Sequence, residues 1–411
     1  MSTHGGCEVL VVGAGPTGLA LAASLARQHI RCRVIDRAAG PSIRSKAIGV
    51  QAGTLESLAG CFGSSLVEAM LASGLKARDA YFHFGQKPGI HLDLSLVPSV
   101  YDFVLILAQS ETEQVLEAEL SQYGGRIDWR RELLSLEQDG TKVTAQLRDA
   151  GGQVEQVTAD YAVGCDGAHS VVRRELKIPF AGASYRGDFI LGDVVLRWPW
   201  PYDTVRLLLS ENGFLGCFPM RGPEGYYRLI LVSDADRSAT TPEISPLEFR
   251  EIVERRSPVP IELLKYDWLS RFNLHHRSAA RFRQGRVFLA GDAAHIHSPV
   301  GGQGMNTGIQ DALNLAHKLA GVLRDRMPPD VLARYESERI PVARRVLRRT
   351  DRAFRAVLAS RPTRARRLAW WLAGHAIATH WVQARLARIM SQVDVARQEM
   401  AERGELNRIN P

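Results

Sequence analysis

The chain opens with an apolar run, Val9-Leu10-Val11-Val12, and passes through Gly13-Ala14-Gly15-Pro16-Thr17-Gly18 into a Leu/Ala-rich stretch ending at Arg27. It turns apolar again at Val34-Ile35 before Asp36. Short apolar runs bounded by glycine predict buried strands and the Leu/Ala stretch predicts a helix, so the opening predicts a βαβ unit of a parallel sheet. From residue 77 to residue 100 the pattern becomes short, mixed and aromatic, and helical spacing returns over 109–120. Alternation over 143–147 and 154–163 predicts strands leading into Gly164-Cys165-Asp166-Gly167. Residues 180–274 are rich in aromatics, prolines and β-formers, which predicts a mostly antiparallel β region with one helix near 246–255. A buried strand is predicted over 286–290, a helix over 309–323, and helical structure beyond Asp330 to the end. There is no internal repeat and no low-complexity linker.

The fold class expected is therefore α/β: a Rossmann-like nucleotide-binding domain from 1–76, 102–176 and 275–344, an inserted mostly antiparallel β substrate domain from 77–101 and 177–274, and a C-terminal helical segment over 345–411. A chain of 411 residues suits two or three such domains. With 45% apolar and 23% charged residues it fits neither a disordered chain nor a membrane bundle. The net charge of +8 sits largely in the Arg-rich stretch 344–367, which has no nucleic-acid motif, so no nucleic-acid partner is expected. The five cysteines (Cys7, Cys32, Cys61, Cys165, Cys217) show no metal spacing, so reduced core thiols and no metal are expected. The first strand begins by Val9 and no 18-residue uncharged apolar run occurs, which leads to the expectation of a cytoplasmic protein.

Gly13, Gly15 and Gly18 satisfy GxGxxG in the context that gives the motif meaning, after a strand and before a helix. Gly13 permits the turn, Gly15 lets the backbone approach a pyrophosphate, and Gly18 allows close helix–strand packing. Pro16 and Thr17 complete the turn at a helix N-terminus, whose free N–H groups favour phosphate oxygens. Asp36, with Arg37 beside it, ends the second strand about 20 residues on, where a carboxylate accepts hydrogen bonds from a ribose diol and repels a 2′-phosphate. This first site fits FAD or NAD and not NADP.

Two later segments carry a resemblance. Gly164-Cys165-Asp166-Gly167-Ala168-His169-Ser170-Val171-Val172-Arg173 and Gly285 to His295, containing Gly291-Asp292, together with the first glycine turn, resemble the class A flavoprotein aromatic hydroxylases of the para-hydroxybenzoate hydroxylase fold group, nearest the phenol and polyketide hydroxylase branch. The likeness runs from Val9 to about Arg344. It implies FAD as cofactor, with Asp292 on the ribitol and Asp166, Gly167 and Arg173 in a second fingerprint near the pyrophosphate that is also associated with NAD(P)H use. It further implies a loop of Pro299, Gly301, Gly302, Gln303, Gly304, Met305 and Asn306 whose backbone N–H groups face the flavin. Arg44 and Lys46 resemble the segment lying along FAD; family members carry Arg before Thr-Leu-Glu, where this chain has Gly53, leaving Arg44 or Lys46 to supply the cation. Gln109 resembles a residue near the flavin and reads equally as a polar helix-entry residue. With a single GxGxxG no separate NAD(P)H domain is expected.

The activity implied is hydroxylation of an aromatic or phenol-like molecule by NADPH or NADH and O₂, through a flavin C4a-hydroperoxide. The protein must exclude water and hold the substrate over the ring. Pro299, Tyr226 and Arg206 are the expected catalytic residues, chosen from a field that includes Tyr185, Tyr227 and Arg228, with His83, His275 and His276 given no metal role. Two other activities remain open: a dehydrogenase or reductase of the same fold group, and a halogenase, of which the Trp198-Pro199-Trp200-Pro201 run is a superficial reminder. The helix expected over 368–382 suits packing or, less well, peripheral membrane contact, and either a monomer or a homodimer is compatible with the sequence. Larger phenol hydroxylases carry a C-terminal thioredoxin-like domain for which 411 residues leave no room.

Overall fold

The computed structural model describes residues 6–43, 47–84, 90–210, 213–233, 244–297, 301–358 and 379–406. The first apolar run forms a strand, Cys7–Val12, paired in parallel with Cys32–Asp36 on one side and with the end of the long strand Val154–Gly164 on the other. Parallel pairing continues outward to Ile127–Trp129 and to Val287–Leu289. Val9 to Val11 and Val287 to Leu289 are buried, as expected of strands covered on both faces. The first half of Val154–Gly164 also carries an antiparallel pair, Val143–Arg148 and Glu132–Gln138. The helix Pro16–Arg27 buries a row of leucines and alanines and packs on the helix Gln303–Leu323. Small alanines let the two axes come close.

A second, eight-stranded sheet runs in the order His295–Ile296, Glu262–Ala279, Phe180–Arg197, Tyr226–Ser233, Gly213–Pro219, Val205–Ser210, Asp79–Phe84, Ile90–Asp93. Every neighbouring pair is antiparallel except Val205–Ser210 with Asp79–Phe84. A three-stranded sheet of Gly49–Val50, Val104–Ile106 and Leu75–Ala77 lies beside it in sequence and in packing.

Strand parity gives the second sheet two different faces. Ile190, Val194, Leu208, Leu215, Cys217, Tyr227, Leu229 and Leu231 form one cluster with Phe249, Ile252 and Val253 of the helix Pro246–Arg256. That helix approaches closely at Gly192, where a side chain would overlap the Phe249 ring. We call this the outer face. On the inner face Val205, Leu207, Phe218, Met220 and Tyr226 pack against Ile48, Ile106 and Ala108, from the three-stranded sheet and the entry to the helix Gln109–Gln122.

Among the described residues after the helix Val331–Leu358, the helix Val393–Arg403 packs on Ala52–Phe62 and the helix His380–Met390 packs on Leu94–Leu96 and Ile90–Asp93. The stretch expected to be amphipathic, 368–382, lies mainly outside the described residues. No helix among the described residues is long and apolar enough to cross a membrane. All five cysteines are free thiols.

Candidate functional site

Three turns that are far apart in sequence meet at the carboxyl ends of the parallel strands. Gly13 has φ +106°, and a Cβ there would strike the Cys165 carbonyl, so the first turn and the Asp166-Gly167 segment lie back to back. The Cys165 N–H donates to the Val12 carbonyl at 2.7 Å. A Cβ at Gly18 would collide with the Gly13 carbonyl oxygen, and Thr17 fills the space beside Gly291 and Gly308. Glycine is required at Gly13, Gly18 and Gly291 because backbone or side-chain atoms stand where a Cβ would go. At Gly15, Gly167 and Gly304, by contrast, an added Cβ would meet nothing within 4 Å, so these glycines border open space.

That open space is bordered by the N-termini of two long helices, Pro16–Arg27 and Gln303–Leu323. Unsatisfied N–H groups and the positive dipole end of each helix make this an anion-binding position. Asp36 holds the first turn: its Oδ2 accepts from the Ala14 N–H at 2.8 Å and its Oδ1 from the Ala38 N–H at 2.8 Å. Burial, and then the neighbouring Asp36 charge, push the Glu113 carboxyl above its ordinary range. Asp166 Oδ2 accepts from the N–H groups of Val171 (2.6 Å) and Val172 (3.2 Å), while its buried Oδ1 has no hydrogen-bond partner. Burial also raises the Asp166 carboxyl. Arg173 reaches under this segment, donating to the carbonyls of Ala293 at 2.7 Å and Ala168 at 2.8 Å, with its guanidinium over the Phe180 ring. Asp292 is exposed between buried Gly291 and Ala293, at the mouth of the same turn.

The loop before the second helix is fixed from below. Gly301 and Gly302 both adopt left-handed backbone conformations, at φ +82° and +61°. Asn306 is fully buried; its Oδ1 accepts from the Gln51 N–H at 2.8 Å and its Nδ2 donates to the carbonyls of Gly49 (2.9 Å) and Gly302 (2.7 Å). Gln303 donates to the carbonyls of Gly301 and Met390, and Gln392 donates to Gln303 Oε1. Met305 packs against the main core. Gln109 begins its helix with its N–H on the Ala47 carbonyl and its side chain on Glu113 at 2.8 Å. Arg37 is exposed beyond Asp36. Arg44, Lys46 and Pro299 lie outside the described residues.

The expected substrate-side residues divide between the two faces. Tyr226 lies half-buried on the inner face, its hydroxyl pushed up to about 12 by burial and by the Asp193 and Asp267 charges. Arg228, two residues on, is buried in a bidentate pair with Asp193 (2.7 Å each) and donates to the Ala47 carbonyl. Arg206 lies on the opposite, outer face, over the Trp200 ring at 4.5 Å and the Tyr81 ring at 5.0 Å, with His83 Nε2 at 3.2 Å. Tyr227 is also on the outer face and donates to the Tyr202 carbonyl at 3.0 Å. Trp198 packs edge-on against Tyr227, so the tryptophan run is part of that packing. Tyr185 donates to Asp351 at 3.0 Å, and its ring meets His276; His275 pairs with the Ser184 hydroxyl.

Sequence reasoning missed a buried ionic network. Asp311 accepts from the Gly291 N–H at 3.2 Å, from His295 at 2.6 Å and from Arg339 Nε at 2.5 Å. Arg339 also pairs with Glu399. Burial opposes ionisation of Asp311, yet Arg339 and His295 hold its carboxyl down at about 2. The available signal was a polar stripe within an otherwise apolar helix: Asn306, Thr307, Gln310, Asp311, Asn314 and Lys318, all buried. Gly53 gains a structural reason too. Its N–H donates to the Ser391 carbonyl at 2.9 Å, and a Cβ there would lie 2.6 Å from the Gln392 backbone, so the C-terminal turn occupies the place of a side chain.

Residues 6–350 match the family model described as "FAD binding domain". The chain belongs to this FAD-binding family. It is 38% identical over 350 residues to a 6-methylpretetramide 4-monooxygenase of Streptomyces rimosus, a match covering 85% of this chain and 62% of that protein. The chain thus spans less than two thirds of that relative's length. Among solved structures it resembles an anhydrotetracycline hydroxylase from Streptomyces rimosus, with TM-score 0.77 and 32% identity over 94% of this chain and 76% of the other. It equally resembles a Diels-Alderase of pyrroindomycin biosynthesis, with TM-score 0.79 and 30% identity over 94% and 80%. The geometry suits FAD: open backbone at Gly15 and Gly304 between two helix N-termini for the pyrophosphate and flavin edge, and an unsatisfied acceptor at Asp166 Oδ1 for a donor from the ligand.

Proposed function

We propose that the chain is a flavin-dependent monooxygenase that hydroxylates an electron-rich, polycyclic aromatic molecule with NAD(P)H and O₂. The observation that carries this is the convergence of three glycine turns on one open cradle, with the inner face of the second sheet packed on the three-stranded sheet that Asn306 ties to the cradle's loop. FAD bound in this cradle supplies the oxygen-activating chemistry. The chain contributes position and environment. The N–H groups of Gly15 and Thr17 would hold the pyrophosphate, Asp36 the adenosine ribose, Asp292 the ribitol, and the loop from Gly301 to Gly304 the pyrimidine edge of the ring. Tyr226 of the inner face contacts the substrate; Pro299, expected from the sequence to share that role, lies outside the described residues. Tyr226, with its proton held to about pH 12, donates a hydrogen bond to a substrate oxygen. Phe218, Met220 and Leu207 exclude water around it.

A relative named for 6-methylpretetramide and a structure named for anhydrotetracycline support a polycyclic molecule, while a relative named for pentachlorophenol brings single-ring phenols into the same screen. The test is to isolate the yellow protein and measure NAD(P)H oxidation with anthracyclic, tetracyclic and single-ring phenols. Stimulated oxidation with product heavier by one oxygen is the expected result; stimulated oxidation yielding only hydrogen peroxide with every phenol rejects the assignment. The likeness to a Diels-Alderase favours one second reading, cyclisation without net redox change. An isomeric product formed without NAD(P)H would select it.

A further inference from the structure

A cavity of about 330 Å³ lies away from the nucleotide turns, lined by Ser24, Arg27, Gln28, Cys61, Leu313, His317, Arg326, Arg403 and Glu405. The helix Pro16–Arg27 separates it from the Gly15 turn by roughly 16 Å, at 1.5 Å per residue. Three helices end around it, Pro16–Arg27, Ala52–Phe62 and Val393–Arg403, and the helix Gln303–Leu323 lines it from its middle with Leu313 and His317. Arginines at helix ends ordinarily spend their N–H groups on the last carbonyls. Arg403 does not. Its side chain is only 4% exposed and its Nε donates to Glu405 at 2.8 Å, yet neither Nη1 nor Nη2 has a hydrogen-bond partner. Glu399 Oε2, itself without a hydrogen-bond partner, is an ion-pair neighbour 3.9 Å from Nη1 that makes no hydrogen bond to it, while Arg339 takes the other oxygen, Oε1. A buried guanidinium with two idle nitrogens is costly, and such groups persist where an acceptor is to arrive.

We propose that this cavity binds a phosphoryl group, either free or as part of a small metabolite. Arg403 presents the two idle nitrogens in the planar fork that suits paired oxyanion contacts, and Arg27 and Arg326 add two cations. Three guanidinium groups face the carboxylate of Glu405 in the lining, leaving a positive excess. His317 is held neutral at pH 7 by burial and by the Arg403 and Lys318 charges, at about 4, so it enters as a hydrogen-bond partner rather than a further charge. Cys61 and the Ser24 hydroxyl, 3.3 Å apart, form the uncharged wall. The site is separate from the flavin cradle, and its occupancy does not require redox turnover.

The experiment titrates the FAD-loaded full chain with inorganic phosphate, AMP and NADP⁺ at constant ionic strength, by calorimetry and by the ring resonances of His317. Saturable one-to-one binding is expected, weakened at least tenfold in R403Q and in R326Q with the flavin spectrum unchanged. Arg326 is exposed, so R326Q keeps the test open if R403Q does not fold. Inorganic phosphate binding as well as AMP assigns a free phosphate; AMP or NADP⁺ binding tenfold more tightly assigns a nucleotide, and both outcomes uphold the site. Heats that rise linearly as chloride heats do, or variants that titrate like the parent chain, overturn it.

Discussion

Tyr226 and Tyr227 are consecutive residues of one strand, and Arg206 and Arg228 are both buried arginines of the same sheet, yet each pair is divided between opposite faces. On the outer face Tyr227 and Arg206 are enclosed by Trp198, Trp200 and the helix Pro246–Arg256. On the inner face Tyr226 and Arg228 look toward Ala47 and the three-stranded sheet. Chemistry of the side chain is equal across each pair, so face alone separates a group that packs from one that can meet a ligand. The period of two along a strand makes this an all-or-none assignment.

Variants on the two faces should therefore part company. The largest effect is expected for Arg228→Ala, which strands the buried Asp193 carboxylate and loosens the sheet from Ala47; a loss of about 3–5 kcal/mol is expected in urea unfolding. Unchanged stability would mean that the pair does not join the two regions. Next, Tyr226→Phe should lower kcat for hydroxylation about a hundredfold while flavin content and melting temperature hold. Because burial keeps the Tyr226 proton on up to about pH 12, this residue adds no limb to the pH–rate profile between 6 and 10. A limb in that range that vanishes in Tyr226→Phe would show it acting as a base instead. Tyr227→Phe removes the bond to the Tyr202 carbonyl and should cost about 1 kcal/mol of stability with kcat unmoved. Smallest of all, Arg206→Met should shift stability by less than about 1 kcal/mol in either direction, since a desolvated cation with an unpartnered Nε is exchanged for an apolar chain of similar length. A collapse of kcat in Arg206→Met would reverse the assignment of the faces.

The nucleotide-binding half was legible because its demands fall on the backbone. Gly13, Gly18 and Gly291 are required by close approach, and no other residue fits, so each leaves a mark in the sequence. The strand Tyr226–Ser233 offers no such mark. Its run Tyr-Tyr-Arg-Leu-Ile-Leu-Val is apolar or buried on both sides, so alternation is lost and parity emerges only from pairing with Phe180–Arg197 and Gly213–Pro219. Arg206 was placed beside Tyr226 for this reason. The Asp311–Arg339–Glu399 network was hidden for another: its members lie 28 and 60 residues apart, and a charge in a helix normally reads as a solvated face. Gly53 was read as a missing cation, whereas it makes room for a turn almost 340 residues downstream.

That turn sets an order of events. Gln303 and Arg339, which brace the loop and the Gly291 turn from beneath, both depend on partners at Gln392 and Glu399. Those partners lie 89 and 60 residues further along the chain, so during synthesis the helix Gln303–Leu323 and the strands before it emerge ahead of the contacts that brace the cradle.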